Sequence, residues 1–294
     1  MANLRDLRLR MRSIEQTLQV TKAMNLISTA KLRKGRRLLE DTKPFFTRIQ
    51  KSMFDILSGA NMERSKYIKT SETSETSRTA ILAITSDKGL AGGYNANIFH
   101  LTNKLCANVK NPVLILIGSI GYRYFANSPW LILENFSFRS RLPDLDDAKE
   151  IADYVVSQYL WGMFDEVHIV YTYMYSSMKL VPSEIQILPL DEKKMQEEFE
   201  KTSGKRQELQ FEYWPSKEQV FETLVPLYVK GVIYGSLVEA YTSEQSARMS
   251  AMDEASKNAE EMLTGLKIRH SRARQAGITQ EITEITGGAE TLNR

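Results

Sequence analysis

Four groups of residues in the 294-residue chain are of types that do chemistry. The stretch SDKGLAGGYN, Ser86 to Asn95, follows a short apolar run and opens a segment of helical spacing. That is where backbone N–H groups and a helix dipole cradle phosphate. Its glycines fall at Gly89, Gly92 and Gly93, with no following Lys-Ser/Thr and no Gly-x-Gly step, so neither the P-loop nor the dinucleotide fingerprint is met. Two readings stay open, a ligand-binding loop or a tight strand-to-helix turn capped by Ser86 or Asp87. In GSIG, Gly118 to Gly121, the serine lacks the Gly-x-Ser-x-Gly spacing of a nucleophile elbow, and the segment reads as a helix start. His100, His168 and His270 lie in separate segments with no second histidine or acid at metal-ligand spacing, and each is expected to be a surface or core histidine. Asp144, Asp146 and Asp147 lack the glycine and terminal glutamate of a calcium loop. After Pro143 they read as an N-cap and a first turn favoured by the helix dipole. No catalytic, cofactor or metal site is assigned.

These residues lie in a middle region where strand and helix signals alternate. AILAITS, VLILIG, EVHIVYTYMY and SEIQILPL read as strands; NANIFHLTNKLCANV, GYRYFA and DLDDAKEIADYVVSQYLWG read as helical. The alternation predicts an α/β layer with a largely parallel sheet. Both chain ends instead carry helical seams. Leu4, Leu7, Met11, Ile14 and Leu18 alternate by three and four, after which the stripe is expected to shift to Val20, Met24 and Ile27, with helix resuming after Pro44. Toward the C-terminus the same spacing joins Val220, Leu224, Leu227, Gly231, Tyr234, Val238 and Tyr241, then Met252, Ala255, Ala259, Met262 and Leu266, then Ile278, Ile282, Ile285, Ala289 and Leu292. Residues Lys217 to Thr286 fit one helix of about 105 Å, bent near Pro226 and loosened at Gly265 and Gly277. Two long seams need partners, and each supplies the other. The expected fold is α/β plus a long antiparallel coiled coil of the N- and C-terminal helices, with a Rossmann-like α/β domain inserted. Its parts are an N-terminal helix (1–58), a linker (59–78), the inserted domain (79–190), a charged connection (191–214) and a C-terminal helix (215–294).

The balance of 39 basic and 36 acidic residues gives a net charge of +3 and no global nucleic-acid signature. Up to Ser58, however, thirteen basic residues face five acidic ones, a local +8. That helix is expected to lack interleaved exposed aromatics and reads as solvated or partner-facing. A single cysteine, Cys106, leaves no intramolecular disulfide framework. The N-terminus lacks the apolar core of a secretory signal, and PVLILIGSIGY is well short of the ~20 residues of a spanning helix. Any membrane role is therefore expected to run through partners.

Read together, TKAMNLISTAKLRKGR, SDKGLAGGYNANI, SEQSARMSAMDEASKNAEEML and RARQAGITQEITEITGGAETL resemble, in order and over the whole chain, the gamma chains of F-type ATP synthases. The resemblance implies a non-catalytic central rotor shaft, without cofactor. It couples ion flow through the membrane sector to ATP synthesis or hydrolysis on the beta subunits and regulates ATPase activity. The implied partners are the alpha and beta subunits of the catalytic hexamer, the epsilon subunit and the membrane c-ring, with one shaft per complex. Lys22 and Met24 match positions beside a mobile lever of a beta subunit, although Met24 equally fits seam packing. Arg274, Gln275 and Thr279 match positions bonded to a beta-subunit loop, with an exposed helix face as the other reading of Arg274 and Gln275. Ile282, Ile285 and Leu292 match an apolar tip turning in a collar of the hexamer. The chain departs from the family at MNLISTAKLRKGR, at Ala91 and at Thr286. One cysteine excludes the paired regulatory cysteines of chloroplast members, and the match beginning near Met1 leaves no room for a transit peptide. Both point to a bacterial chain on the cytoplasmic side of the plasma membrane. The competing reading is an α/β phosphate-binding enzyme with helical oligomerisation arms.

Overall fold

The computed structural model describes residues 4–57, 65–68, 77–138, 141–176, 179–191 and 213–292, apart from the side chains of 50, 54, 57 and 287–292. Most of the expected linker (59–78) and of the charged connection (191–214) lies outside these residues. The chain divides into two compact units, one of residues 1–28 and 248–294, the other of residues 29–247. The terminal helices, α1 (Leu4–Leu57) and α5 (Lys217–Leu292), contribute to both.

In the larger unit, β1 (Thr79–Ile84), β2 (Pro112–Ile117), β3 (Leu131–Phe136), β4 (Glu166–Met174) and β5 (Leu180–Leu188) form one sheet in the order β3-β2-β1-β4-β5. The first four are mutually parallel and β5 runs antiparallel on β4. β1 and β2 are near-continuous apolar runs because both sheet faces are covered. Helices α2 (Tyr94–Asn108) and α3 (Ser119–Phe125) are the crossovers on one side. Ile98, Leu105 and Phe125 pack there on Ile81, Ala83, Leu114, Leu116 and Val170. On the other face α4 (Leu145–Leu160) and the lower parts of α1 and α5 join the larger core, where Met53, Ile56, Ile151, Phe221, Val225, Val229 and Ile233 are fully buried. Edge strand β3 was not anticipated. Its sequence, LILENF, is half-buried and carries an extra residue opposite Leu114/Ile115, so it has neither clean alternation nor a full apolar run.

Several seam expectations need correction. α1 runs unbroken through Pro44. Flanking residues Phe46, Ile49 and Met53 are held in the core, which offsets the lost backbone bond. On α5, the fully buried stripe is Phe221, Val225, Val229 and Ile233, whereas Leu227 is 39% exposed. Further on, Ser256 and Leu263 occupy the seam, and Met262 turns outward at 56% exposure.

In the smaller unit the N-terminal stripe does not shift. Leu4, Leu7, Met11, Ile14, Leu18, Thr21, Asn25 and Ser28 keep one strict heptad seam, and Val20 and Ile27 are both 57% exposed. The facing seam of α5 is Met252, Ser256, Ala259, Leu263, Leu266, His270, Ala273 and Gly277. Pairing is antiparallel. The Arg8 Nε donates to His270 Nε2 at 3.2 Å, Ser256 Oγ to Thr21 Oγ1 at 2.8 Å, and Asn25 Nδ2 to the Met249 carbonyl at 3.0 Å. Thr21, Asn25, Ser256 and His270 hold seam positions because each finds a hydrogen bond across the pair, which also fixes register.

Candidate functional site

The segment with the strongest claim to phosphate chemistry is internally spent. Ser86 Oγ donates to the Lys88 carbonyl at 2.9 Å and accepts from Asn95 Nδ2 at 2.7 Å, while Asn95 Oδ1 accepts the Ser86 N–H at 3.0 Å. The expected capping of α2 by Ser86 or Asp87 is not found; Gly93 stands at that N-cap without a side-chain bond. Asp87 instead reaches the next crossover, where its Oδ1 accepts the Ser119 N–H at 3.0 Å and the Ser137 hydroxyl at 2.8 Å. GSIG does open a helix, α3. Its glycines answer to Thr85: a Cβ on Gly118, whose φ is +96°, would stand 2.4 Å from the Thr85 carbonyl oxygen, and one on Gly121 would stand 2.5 Å from Thr85 Oγ1. That hydroxyl donates to the Ile117 carbonyl at 2.7 Å and accepts from the Gly121 N–H at 3.0 Å. Strand ends and helix start are thereby stitched together, with no exposed serine nucleophile.

Strand order reverses between β1 and β4, and in such sheets ligands enter outside the carboxyl ends of the strands at that point. Here the entrance is filled. Glu239 of α5 accepts the Met174 N–H at 2.9 Å, and Ser243 Oγ donates to the Thr172 carbonyl at 2.8 Å. Leu237, Ala240 and Tyr241 help close a residual cavity of about 40 Å³. One or two waters fit in that volume, and a nucleotide does not. Burial pushes the Glu239 carboxyl above its ordinary range, against the Met174 N–H and Lys43, which pull it down.

Other titratable groups are structural. Asp144 caps α4, accepting the Asp146 and Asp147 N–H groups, and Asp147 completes a capping box by accepting the Asp144 N–H at 2.9 Å. The Asp147 N–H, the Arg141 guanidinium and the Asp146 N–H hold the Asp144 carboxyl below the usual carboxylate range. His168 is buried, as one of its two readings had it, but acids do approach it: Nδ1 lies 2.8 Å from Glu184 Oε1 and Nε2 lies 3.7 Å from Glu166 Oε2. Pairing between strands brings Glu184 there, which linear spacing cannot reveal. Among the described residues no group of three or more His, Cys, Asp or Glu side chains is arranged to hold a metal. Burial raises Cys106 to about 12, so the thiol is inert. Burial, followed by Asp165, Tyr67 and Glu166, raises Tyr159 to about 12 as well.

The partner-contact candidates fall on the two helices of the smaller unit. Lys22 Nζ pairs with Glu260 Oε1 at 2.6 Å, both side chains being about half exposed. Such a pair contributes about 0–1 kcal/mol and exchanges readily. Met24 is half-buried beside the seam. Arg274, Gln275 and Thr279 are exposed, and Thr279 Oγ1 donates back to the Gln275 carbonyl at 2.9 Å. Ile282 and Ile285 are 56% and 71% exposed and, with Ile278 at 49%, line one face of α5 beyond its last seam residue, Gly277. The Leu292 side chain lies outside the described residues. Reading the first helix by heptad count alone, without regard to residue type, would have found Thr21, Asn25 and Ser28 and left Val20 and Ile27 on the outer face.

A family model described as ATP synthase matches residues 3–292. The ATP synthase gamma chain of Acetivibrio thermocellus is 40% identical over 294 residues, covering 99% of this chain and 100% of the relative. The sodium ion specific gamma chain of Acetobacterium woodii is 37% identical over 99% of each chain. Among solved structures, a chain of the central stalk and c-ring of Tetrahymena thermophila mitochondrial ATP synthase superposes with a TM-score of 0.60 at 25% identity, over 81% of this chain and 99% of that one. A chain of the Euglena gracilis mitochondrial ATP synthase shares the fold, with a TM-score of 0.65 at 15% identity over 98% and 94%. With a two-helix coil built from both chain ends, a five-stranded sheet between them and a filled ligand entrance, the chain belongs to the gamma-chain family of F-type ATP synthases, the central-stalk subunit of the enzyme.

Proposed function

We propose that this chain is a non-catalytic rotor shaft that couples ion flow through a membrane c-ring to ATP synthesis or hydrolysis on beta subunits. The observation that carries this reading is α5 beyond Gly277. An exposed apolar stripe, Ile278, Ile282 and Ile285, projects there without an intrachain seam partner among the described residues. Exposed apolar surface in one contiguous stripe marks a docking face. A ring of alpha and beta subunits offers a collar for it, with Leu292 included. Val20, Met24 and Ile27 present a second face to a beta-subunit lever, with Lys22 on the other flank of the seam; Arg274, Gln275 and Thr279 offer polar atoms to a beta-subunit loop. One asymmetric shaft inside three equivalent sites gives each a different surface, so rotation re-biases the affinities in turn. Each elementary charge crossing the membrane supplies about 2.3 kcal/mol per 100 mV. Continuous helix with a bonded seam is suited to carry several such increments. Epsilon and the c-ring dock on the remaining surface, and the complex sits at the cytoplasmic side of a bacterial plasma membrane. α5 contains one stretch long and apolar enough by composition to cross a bilayer, 44% of it buried in the protein. We assign this stretch to the core, because Phe221, Val225, Val229 and Ile233 of the same helix are fully buried in it.

Purification of the native complex tests the proposal. One copy of this chain per three alpha and three beta subunits is expected, with no ATP hydrolysis by the chain alone. Turnover by the isolated chain, or a stoichiometry equal to that of alpha and beta, would remove the rotor assignment. The double variant Arg274→Ala/Gln275→Ala should assemble yet turn over more slowly.

A further inference from the structure

The coil of the smaller unit contains a groove that its own seam does not fill. Gly265 stands where a side chain would close it, and a Cβ built there meets no atom within 4 Å. The resulting space of about 410 Å³ has Ile14, Leu266 and Met262 as its apolar walls, with Arg10, Arg269 and Ser13 around them. This volume lies within the range of small-molecule sites, which combine an apolar body with a few polar anchors. The charge around it is one-sided. Residues 5–14 and 265–275 hold eight Lys and Arg side chains against Asp6 alone, and among the described residues no carboxylate pairs with either Arg10 or Arg269. Two unpaired guanidiniums beside an apolar floor match one chemistry: an anionic head that takes charge-assisted hydrogen bonds, joined to an apolar tail. A free anion lacks the tail and a cationic amphiphile is repelled.

We propose that the groove of Arg10, Ser13, Ile14, Met262, Gly265 and Leu266, with Arg269, binds a small amphipathic carboxylate, its tail over Ile14 and Leu266 and its head between the two arginines. Such a ligand bridges α1 and α5 and braces the coil where Gly265 leaves a groove beside its seam. The test uses the full chain alone and so does not depend on how the chain assembles with other subunits.

The probe is sodium decanoate, titrated below its micellar concentration into the full chain. Heat is recorded by calorimetry, and the Met262 methyl resonance is followed by NMR with methyl-labelled methionine. One saturable site with a Kd of about 1 mM or tighter is expected. Acetate and decyltrimethylammonium should leave the Met262 signal unmoved. Arg10→Ala and Arg269→Ala should each weaken binding about tenfold, and Arg272→Ala, which alters the same basic belt outside the groove, should not. Gly265→Leu fills the space without changing charge and should abolish binding while circular dichroism stays helical. Equal losses in Arg272→Ala and Arg10→Ala would reduce the effect to general electrostatics. Undiminished binding in Gly265→Leu, equal binding of the cationic amphiphile, or no saturation at all would each overturn the site.

Discussion

Helix α5 passes through two regions that solve burial in different ways. From Ile233 to Ser246 it is enclosed on nearly all sides, and even Thr242, Ser243, Gln245 and Ser246 are at most 1% exposed. From Met252 to Gly277 only every third or fourth residue is covered, and from Ile278 to Thr286 the described residues are all exposed. Composition does not account for the contrast, since the enclosed part is rich in Ser and Thr and the exposed part in Ile. What differs is the number of surfaces packed against the helix: the sheet and α1 in the larger unit, α1 alone in the smaller one, and, among the described residues, none past Gly277. Apolar residues left outside in the last region therefore point to surfaces supplied by other chains, whereas polar residues inside the first are held by intrachain bonds such as Ser243 to Thr172.

The comparison breaks most visibly in the core. Phe221→Ala removes a fully buried ring from α5 and should cost about 3–5 kcal/mol in urea unfolding of the isolated chain. A loss under 1 kcal/mol would mean the larger unit is loosely packed. In the coil, Thr21→Val with Ser256→Ala deletes both ends of a seam hydrogen bond. Removing both partners is milder than stranding one, so the double variant should change stability by about 1 kcal/mol or less, and either single variant should cost more than its share. A double-mutant cycle by thermal melting reads that coupling directly.

Glu239 sharpens the comparison through pH. Its folded carboxyl titrates above the ordinary glutamate value, so the unfolded chain gives up that proton first. Its contribution to stability is full below the unfolded pKa and declines as pH rises through the folded one. Glu239→Gln keeps an acceptor for the Met174 N–H and should flatten that decline, measured as urea midpoints from pH 4 upward. An unchanged slope would assign the pH dependence elsewhere. The smallest expected effect on the isolated chain comes from Ile282→Ser with Ile285→Ser. Both residues are exposed, and stability should stay within about 0.5 kcal/mol of the parent. Assembly or coupled turnover should fall in the same variant if this stripe meets a collar, and a complex that turns over normally would remove it from the working contacts.

How much could be read in advance depended on whether a pattern was local. Spacing of three and four made both helices legible, and strand-helix alternation made the parallel sheet legible, because each pattern repeats within a few residues. Reading by residue type then misled at Thr21, Asn25 and Ser28. These are seam residues by position, but polarity sent the stripe to Val20 and Ile27. Partner candidates at Arg274, Gln275 and Thr279 came from family resemblance, and all three are exposed. Half-buried β3, the reach of Asp87 to Ser119, and Glu184 beside His168 were illegible because each depends on a neighbour distant in sequence.

What the sequence determined by itself is the set of elements and their amphipathic periods: two helices with few prolines to interrupt them, an apolar β1 and β2 between, and capping carboxylates after Pro143. Tertiary structure alone decided which apolar residues remain outside and which polar ones go in. Burial is settled by the surfaces that meet, and a buried polar group is tolerated wherever folding delivers a hydrogen-bond partner. It also decided that the ligand entrance of the sheet is filled by α5, since that closure joins residues 174 and 239, far apart in the chain and 2.9 Å apart across one hydrogen bond.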